Sequence, residues 1–159
     1  MIVYHGSYME VKTPNIAFSR ENVDFGKGFY TTPIKAQAEK WATRFRRKKG
    51  NSIVSIYEVD EEKLKQDVRV LEFTEYTEAW LDYIVTCRRG KNSLKYDVVI
   101  GGVANDKVFD TIELFFDGLI DKTVAIERLR YEKPNFQVCF CSQKVIEQYV
   151  RFIDSEVVL

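Results

Sequence analysis

Two short segments of the chain contain the residue types best suited to holding a ligand. One is Tyr4-His5-Gly6-Ser7, which includes the only histidine, and the other is Asp24-Phe25-Gly26-Lys27-Gly28-Phe29-Tyr30-Thr31. Glycine permits left-handed φ values and lets a ligand approach the main chain closely. The aromatic residues after the second glycine favour strand conformation. The second segment therefore predicts a tight loop that delivers an aromatic ring to a cleft, and together the two segments indicate a ligand site.

Each segment also has an ordinary structural interpretation. A lone histidine at a strand end is more often a satisfied structural residue than a ligand-binding one, and Gly-x-Gly is common in turns. Phe25 and Phe29 fit a role as core residues that flank the loop. Lys27 fits a solvated loop position as well as a contact with a phosphate group. The spacing alone leaves these alternatives open.

Length and composition predict a single domain spanning residues 1–159. A chain of 159 residues with 45% hydrophobic and 14% aromatic residues can bury a sizeable core, which excludes intrinsic disorder. Lysine plus arginine equals aspartate plus glutamate, 24 each, so the net charge does not call for nucleic acid or a membrane. No apolar run is long enough to span a bilayer. Because the chain starts almost at once with the strand-like Ile2-Val3-Tyr4, we expect a cytoplasmic protein without a leader segment.

The three cysteines predict buried, reduced thiols. Cys139 and Cys141 lie two positions apart and so share one face of a strand, whereas Cys87 is distant in sequence. No neighbouring pair completes a zinc-ligand pattern, and we expect no metal site.

The period of the apolar residues changes along the chain and predicts mixed α and β structure. Thr32 before Pro33 fits an N-cap followed by proline in the first helical turn, which starts a helix that ends near Arg46. The apolar stripe of this helix comprises Ile34, Ala38, Trp41 and Phe45. A strand follows over residues 52–59. A second helical stripe (Trp80, Tyr83, Ile84 and Cys87) ends at Arg88-Arg89-Gly90.

The second half of the chain shows the same mixture. A strand over residues 96–100 leads into Gly101-Gly102, and Asn105 caps a helix that ends at Gly118. The segments that follow are a short helix over residues 121–129, a strand over 136–141, a helix capped by Ser142 and a terminal strand within 151–159. The pattern predicts an α+β fold.

The two ligand-type segments, in this order, resemble the first two motifs of the ADP-ribosyltransferases of the diphtheria-toxin and poly(ADP-ribose) polymerase branch. Within that branch the chain most resembles small bacterial relatives, through Tyr4-His5-Gly6-Ser7, residues 24–30 and the later Gly101-Gly102-Val103-Ala104-Asn105-Asp106. The resemblance implies a split antiparallel β-sandwich with flanking helices. It also implies that a His–Tyr–Glu set holds NAD as the substrate.

The third member of that set is expected on a late strand, and here it is a glutamine. In residues 136–141 the apolar Phe136, Val138 and Phe140 share one face, which we expect to pack on the core. Gln137 lies on the other, wetter face and aligns with the family's glutamate. Glutamine keeps a carbonyl acceptor but has no charge to stabilise an oxocarbenium-like state. We therefore expect NAD binding to survive better than catalysis, polymer elongation to be lost, and Gln137→Glu to raise NAD hydrolysis.

The resemblance implies roles for the other residues. His5 would bond the adenosine-side ribose, Gly6 and Ser7 would offer main-chain groups to the nicotinamide amide, and Tyr30 would stack on the nicotinamide ring. The loop residues expected to contact NAD are Gly26, Lys27, Gly28 and Thr31, with Lys27 near the pyrophosphate. Asn105 and Asp106 have a capping interpretation, which we favour. A substrate-side role for Asp106 stays a hypothesis.

Three functions follow as hypotheses. The first is a mono-ADP-ribosyltransferase that transfers ADP-ribose from NAD to a protein or nucleic acid, which by resemblance implies the toxin of a bacterial toxin–antitoxin pair with a small neutralising partner. The second is a catalytically degenerate module that recognises NAD, ADP-ribose or a partner. The third is nucleic-acid binding through the basic run Arg44, Arg46, Arg47, Lys48 and Lys49, for which a solvated helix end is the alternative that we favour.

Overall fold

The computed structural model describes residues 1–91, 95–132 and 134–159. The strands are β1 (Ile2–Ser7), β2 (Phe29–Thr31), β3 (Ile53–Val59), β4 (Val70–Glu72), β5 (Val98–Gly102), β6 (Phe136–Phe140) and β7 (Val150–Val157). The α-helices are α1 (Lys35–Lys49), α2 (Glu61–Asp67), α3 (Glu78–Arg88), α4 (Asp106–Phe116), α5 (Lys122–Leu129) and α6 (Gln143–Tyr149). The class is α+β, as the sequence predicts.

The strands form two sheets. One has the order β1-β3-β7 and the other has the order β2-β6-β5-β4. The expectation of antiparallel sheets is wrong for one pair, because β4 runs parallel to β5, with Val70 opposite Val98. The sequence pattern does not predict β4, α2 or the 3-10 turn Ile16–Phe18. These elements are short and carry little periodic signal.

Local capping signals locate most of the helix starts. The side chains of Asn105, Asp121 and Ser142 accept hydrogen bonds from main-chain N–H groups three residues on, at Val108, Val124 and Val145. The capping roles of Asn105 and Ser142 and the existence of the terminal strand are therefore confirmed.

Helix α1 differs from the prediction in its start and in its buried face. It begins at Lys35 after Ile34, not at Pro33, and it continues to Lys49 before Gly50 adopts a φ of 79°. Its buried residues are Ala38 and Ala42, whereas Ile34 and Phe45 of the predicted stripe are 38% and 37% exposed. Small side chains face inward because α1 lies directly on the main chain of β1.

Strand β6 is buried on both faces, which corrects the expectation of a wetter face. Val138 and Phe140 belong to a core cluster that also contains Val3 and Phe29, whereas Cys139 belongs to a second cluster with Phe25. The helices cover the second face. Gln137 is consequently only 3% exposed.

Candidate functional site

The two sheets meet at a single pair of residues and separate beyond it. Tyr4 N–H donates to Thr32 O at 2.8 Å, and Thr32 N–H donates to Tyr4 O at 2.9 Å. Among the residues that the structure describes, this is the one ladder pair between β1 and β2. The register would next place Gly6 opposite Tyr30, but no pairing forms there. A gap between the two strands therefore begins after the Tyr4–Thr32 pair.

The main chain of Gly6 points into this gap. Met1 and Val59 exchange two hydrogen bonds of 2.8 Å, so the odd-numbered residues of β1 direct their main-chain groups toward β3. Because these groups alternate along a strand, those of Gly6 point the same way as those of Tyr4, away from β3. The gap is thus bordered by a main-chain donor and a main-chain acceptor on one residue.

Only glycine fits at position 6. A Cβ there would overlap the carbonyl oxygen of Ala38 and lie 2.8 Å from the amide nitrogen of Ala42, both in α1. The helix therefore rests on β1 through Gly6 and the two small alanines. This packing fixes the orientation of the Gly6 main chain toward the gap.

His5 occupies the border of the gap. Its Nδ1 lies 2.7 Å from the carbonyl oxygen of Tyr30. A carbonyl oxygen only accepts, so Nδ1 carries the proton and the other ring nitrogen, Nε2, is an acceptor in the neutral ring. Burial lowers the pKa of His5, which favours this neutral form. The imidazole also lies 4.7 Å from the ring of Phe29, between ring centres.

The ring of Tyr30 lies on the other face of β2. Its hydroxyl donates to Gly26 O at 2.6 Å and accepts from Phe25 N–H at 2.9 Å. The rings of Phe25 and Tyr30 are stacked with centres 6.4 Å apart. Desolvation raises the pKa of Tyr30 far above its ordinary value, so the phenol stays neutral. The structure thus brings His5 to the main chain of Tyr30, not to its ring.

The glycine loop (residues 24–28) lies over the same face as the Tyr30 ring. Gly26 has a φ of 78°, a conformation that favours glycine. Gly28 donates its N–H to Ser19 Oγ at 3.0 Å, and a Cβ on Gly28 would lie 2.5 Å from Cys139 Sγ. A Cβ on Gly101 would lie only 3.0 Å from Cζ of Phe25. The Phe25 ring therefore packs closely on the main chain of Gly101. The predicted tight loop is therefore present, and it covers Tyr30.

Gln137 shares the face of Tyr30. Tyr30 pairs with Cys139 across β2 and β6, and Gln137 is two residues away, so their side chains project to one side. The Gln137 Nε2 lies 3.3 Å from Asp24 Oδ2. Asp24 in turn pairs with Arg88, whose Nη2 lies 2.9 Å from Asp24 Oδ1 and whose Nη1 lies 2.7 Å from Glu113 Oε1.

The sequence pattern does not identify Asp24, Arg88 and Glu113 as residues of the candidate site. Asp24 appeared only as the first letter of the glycine segment, and Arg88 only as a helix end. Arg88 is 13% exposed and stacks 4.9 Å above the ring of Phe109. A partly buried arginine between two carboxylates has no local signal, because its partners come from distant parts of the chain.

Other predicted residues are placed away from this face. Thr31 is fully buried on the opposite side of β2 from the Tyr30 ring, where its hydroxyl donates to Val138 O at 2.9 Å. Ser7 ends β1 and is 9% exposed. Lys27 is half-buried within the glycine loop. Asp106 is exposed in the first turn of α4.

The basic run at the end of α1 is fully exposed. Arg46 donates to Val158 O, and Lys49 lies 5.3 Å from the ring centre of Tyr8. The run closes the helix beside Gly50. Its residues lie in the last turns of α1 and are exposed.

Two surface clefts are formed by other residues of the part of the chain that the structure describes. One is bordered by Val59 and Arg151, and the other by Glu78 and Lys122. Neither includes His5, Tyr30 or Gln137. The ring of Phe25 lies beside that of Tyr30, with the ring centres 6.4 Å apart.

Two features are absent from residues 1–91, 95–132 and 134–159. No group of three or more His, Cys, Asp and Glu side chains there could hold a metal ion. No helix in the same part of the chain is long and apolar enough to cross a membrane.

The protein has an α+β fold in which the two sheets pair at Tyr4 and Thr32. His5 lies next to the point where the sheets separate. The family model of DUF3990, described as a protein of unknown function, matches residues 1–152. The chain therefore belongs to the DUF3990 family. Neither the curated proteins nor the solved structures include a match.

Proposed function

We propose that this protein binds NAD at the gap between β1 and β2 and transfers ADP-ribose to a macromolecular acceptor. The observation that carries the proposal is the separation of the two strands after the Tyr4–Thr32 pair, with His5 bonded to Tyr30 O and Gly6 directed into the gap. The resemblance to ADP-ribosyltransferases supplies the identity of the ligand.

The carboxamide of nicotinamide matches the main chain of Gly6. A carboxamide has one N–H₂ donor and one carbonyl acceptor, and the N–H and C=O of a strand residue bind such a group as a neighbouring strand would. The unpaired stretch beyond Tyr4 and Thr32 supplies this geometry. In the proposal the nicotinamide therefore occupies the place that Tyr30 would take in a continued ladder.

His5 and Tyr30 lie on the two sides of that position. The Nε2 of His5 accepts a hydrogen bond from a ribose hydroxyl, since Nδ1 is held by Tyr30 O. Stacking of nicotinamide on the Tyr30 ring requires Phe25 to move, because its ring already stacks there. The proposal thus includes displacement of the glycine loop when NAD binds.

The reaction breaks the bond between the nicotinamide nitrogen and ribose C1. Its electron pair leaves with neutral nicotinamide, and positive charge develops on the ribose. The acceptor's nucleophilic atom then bonds to C1 and releases its proton to water. Gln137 offers a carbonyl to orient a ribose hydroxyl but no charge of its own, so we expect a slow enzyme.

A second candidate is recognition of NAD or ADP-ribose without turnover. The observation that favours it is the burial of Gln137, which is 3% exposed and bonded to Asp24. The transferase needs a macromolecular acceptor, whereas the binding module needs only NAD, ADP-ribose or a partner. A small neutralising protein that covers the gap would fit the toxin–antitoxin role that the resemblance implies.

The test measures nicotinamide release from NAD labelled in the nicotinamide ring, with and without cell lysate. The proteins are the wild type, His5→Ala and, as a matched control, Tyr131→Phe, whose ring is 83% exposed. Release that His5→Ala abolishes and Tyr131→Phe leaves unchanged supports the transferase.

The same samples are heated with and without NAD. A rise in the melting temperature without nicotinamide release favours the binding module. Absence of both effects overturns the proposal. Salt-sensitive RNA binding lost on neutralising Arg46, Arg47 and Lys48 would then identify nucleic acid as the ligand.

A further inference from the structure

The contact between Asp24 and Gln137 fixes the orientation of the Gln137 amide. Their side chains meet although the residues are 113 positions apart, with Nε2 3.3 Å from Asp24 Oδ2. An ionised carboxylate only accepts hydrogen bonds, so the N–H₂ of the amide must face it. The carbonyl Oε1 is thereby turned away from Asp24 as the acceptor end of the side chain.

Asp24 is itself held from the other side. Arg88 Nη2 lies 2.9 Å from Asp24 Oδ1, and the two side chains are 13% and 17% exposed. Arg88 also pairs with Glu113 and stacks on Phe109. One guanidinium between two carboxylates leaves one formal negative charge in the cluster, next to the uncharged Gln137.

We propose that Asp24 is the positioning residue of Gln137 and carries the negative charge that a glutamate would otherwise bring to this strand. Asp24 acts through the amide: it orients Oε1 to accept from a ribose hydroxyl and supplies the nearby charge. The substrate in this inference rests on the NAD-binding function proposed above. The pairing of the two side chains does not depend on NAD.

If Asp24 supplies the charge, Gln137→Glu should raise NAD hydrolysis only when the carboxylate of Asp24 is also removed. In the wild-type background this change sets two carboxylates at hydrogen-bond distance in a buried place, where like charges disfavour ionisation. Gln137→Glu alone is therefore expected to destabilise the fold. Asp24→Asn restores a carboxylate–amide pair with the two groups exchanged.

The experiment compares the wild type, Gln137→Glu, Asp24→Asn and the double variant at pH 7. We expect Gln137→Glu to lower the melting temperature by roughly 5 °C, and the double variant to recover most of that loss. We expect nicotinamide release by the double variant to exceed that of the wild type by about tenfold, through kcat rather than KM.

Asp24→Asn and Asp97→Asn, each combined with Gln137→Glu, test whether the recovery of stability is specific to Asp24. Asp97 also pairs with an arginine, Arg69, and its side chain is 22% exposed, close to the 17% of Asp24. Asp97→Asn should not rescue Gln137→Glu. If it rescues as well as Asp24→Asn, or if the two site changes are additive in melting temperature, the inference is overturned.

The outcome also separates this inference from the proposed function. Thermal coupling with no nicotinamide release and no effect of NAD on any of the four proteins overturns the proposed function and, with it, the role of Asp24 toward a sugar. NAD-dependent stabilisation or release without thermal coupling overturns the positioning role alone.

Discussion

Nδ1 of His5 donates to the carbonyl oxygen of Tyr30 at 2.7 Å, at the place where the next main-chain donor of a continued sheet would be Gly6 N–H. A side chain therefore replaces a main-chain partner, and the strands separate instead of pairing. The carbonyl of Tyr30 is satisfied, while the main chain of Gly6 is directed into the gap. One histidine thus both ends the ladder and borders the proposed ligand position.

This relationship predicts a pH dependence of stability that belongs to one residue. Burial lowers the pKa of His5 in the folded state, and its ordinary value in the unfolded chain is 6.5. Below that value the unfolded chain binds a proton that the folded protein resists. The contribution of neutral His5 to the free energy of unfolding is therefore complete above about pH 6.5. It is lost as the pH falls toward the folded-state pKa, at ~1.4 kcal/mol per pH unit at most.

Urea unfolding between pH 5.5 and 7.5 measures this effect. Because His5 is the only histidine, His5→Gln should remove the extra slope of the free energy of unfolding against pH. Equal slopes in the wild type and in His5→Gln would show that the imidazole is not held neutral by burial.

Tyr30 is expected to stabilise the glycine loop through its hydroxyl. Tyr30→Phe leaves Gly26 O and Phe25 N–H without the hydroxyl that now contacts both. We expect a loss of about 1–3 kcal/mol in the free energy of unfolding and faster proteolysis within residues 19–28. Tyr131→Phe, at an 83% exposed ring, is the control and should change neither. An unchanged cleavage rate in Tyr30→Phe would contradict a closing role for the hydroxyl.

The parts of the fold that the sequence predicts are those with local causes. Asn105 and Ser142 cap helices through main-chain groups three residues away, so a short window of sequence contains the whole interaction. The same holds for Gly50 and Gly118, which have φ values of 79° and 75° at helix ends.

The parts that escape prediction depend on distant contacts. The inward face of α1 is set by Gly6, which lets Ala38 approach β1, and no pattern within the helix records that glycine. The partner of Gln137 is Asp24, 113 positions earlier. An amphipathic strand indicates one wet face, but β6 is covered on both sides because helices pack over the second face.

Gly6 should tolerate no larger residue. In Gly6→Ala the new Cβ would overlap Ala38 O, a main-chain atom that cannot rotate away. We expect a loss of about 3 kcal/mol in the free energy of unfolding, at the upper end for overpacking. Gly50→Ala is the control: its Cβ would meet no atom, and its left-handed φ of 79° costs about 1 kcal/mol. Chemical denaturation measures the free energy of unfolding of both variants. Equal losses in Gly6→Ala and Gly50→Ala would contradict the close approach of α1 to β1.

Arg88 should contribute far more to stability than an exposed arginine with a similar partner. It is 13% exposed and pairs with Asp24, which is 17% exposed, whereas Arg69 is 64% exposed beside Asp97. Removing one member of an ion pair shielded from water leaves an uncompensated charge, at a cost that reaches about 3–5 kcal/mol for a fully buried pair. An exposed pair is worth about 0–1 kcal/mol. We therefore expect Arg88→Met to lose several times more stability than Arg69→Met.

Arg88→Met together with Asp24→Asn tests whether the loss comes from the stranded carboxylate. The second change removes one of the two charges that the guanidinium compensates, so the double variant should be more stable than Arg88→Met alone. Urea unfolding at constant pH and ionic strength measures the wild type, the two single variants and the double variant. A double variant whose loss equals the sum of the two single losses would mean that Arg88 acts by packing on Phe109 and not by compensating Asp24.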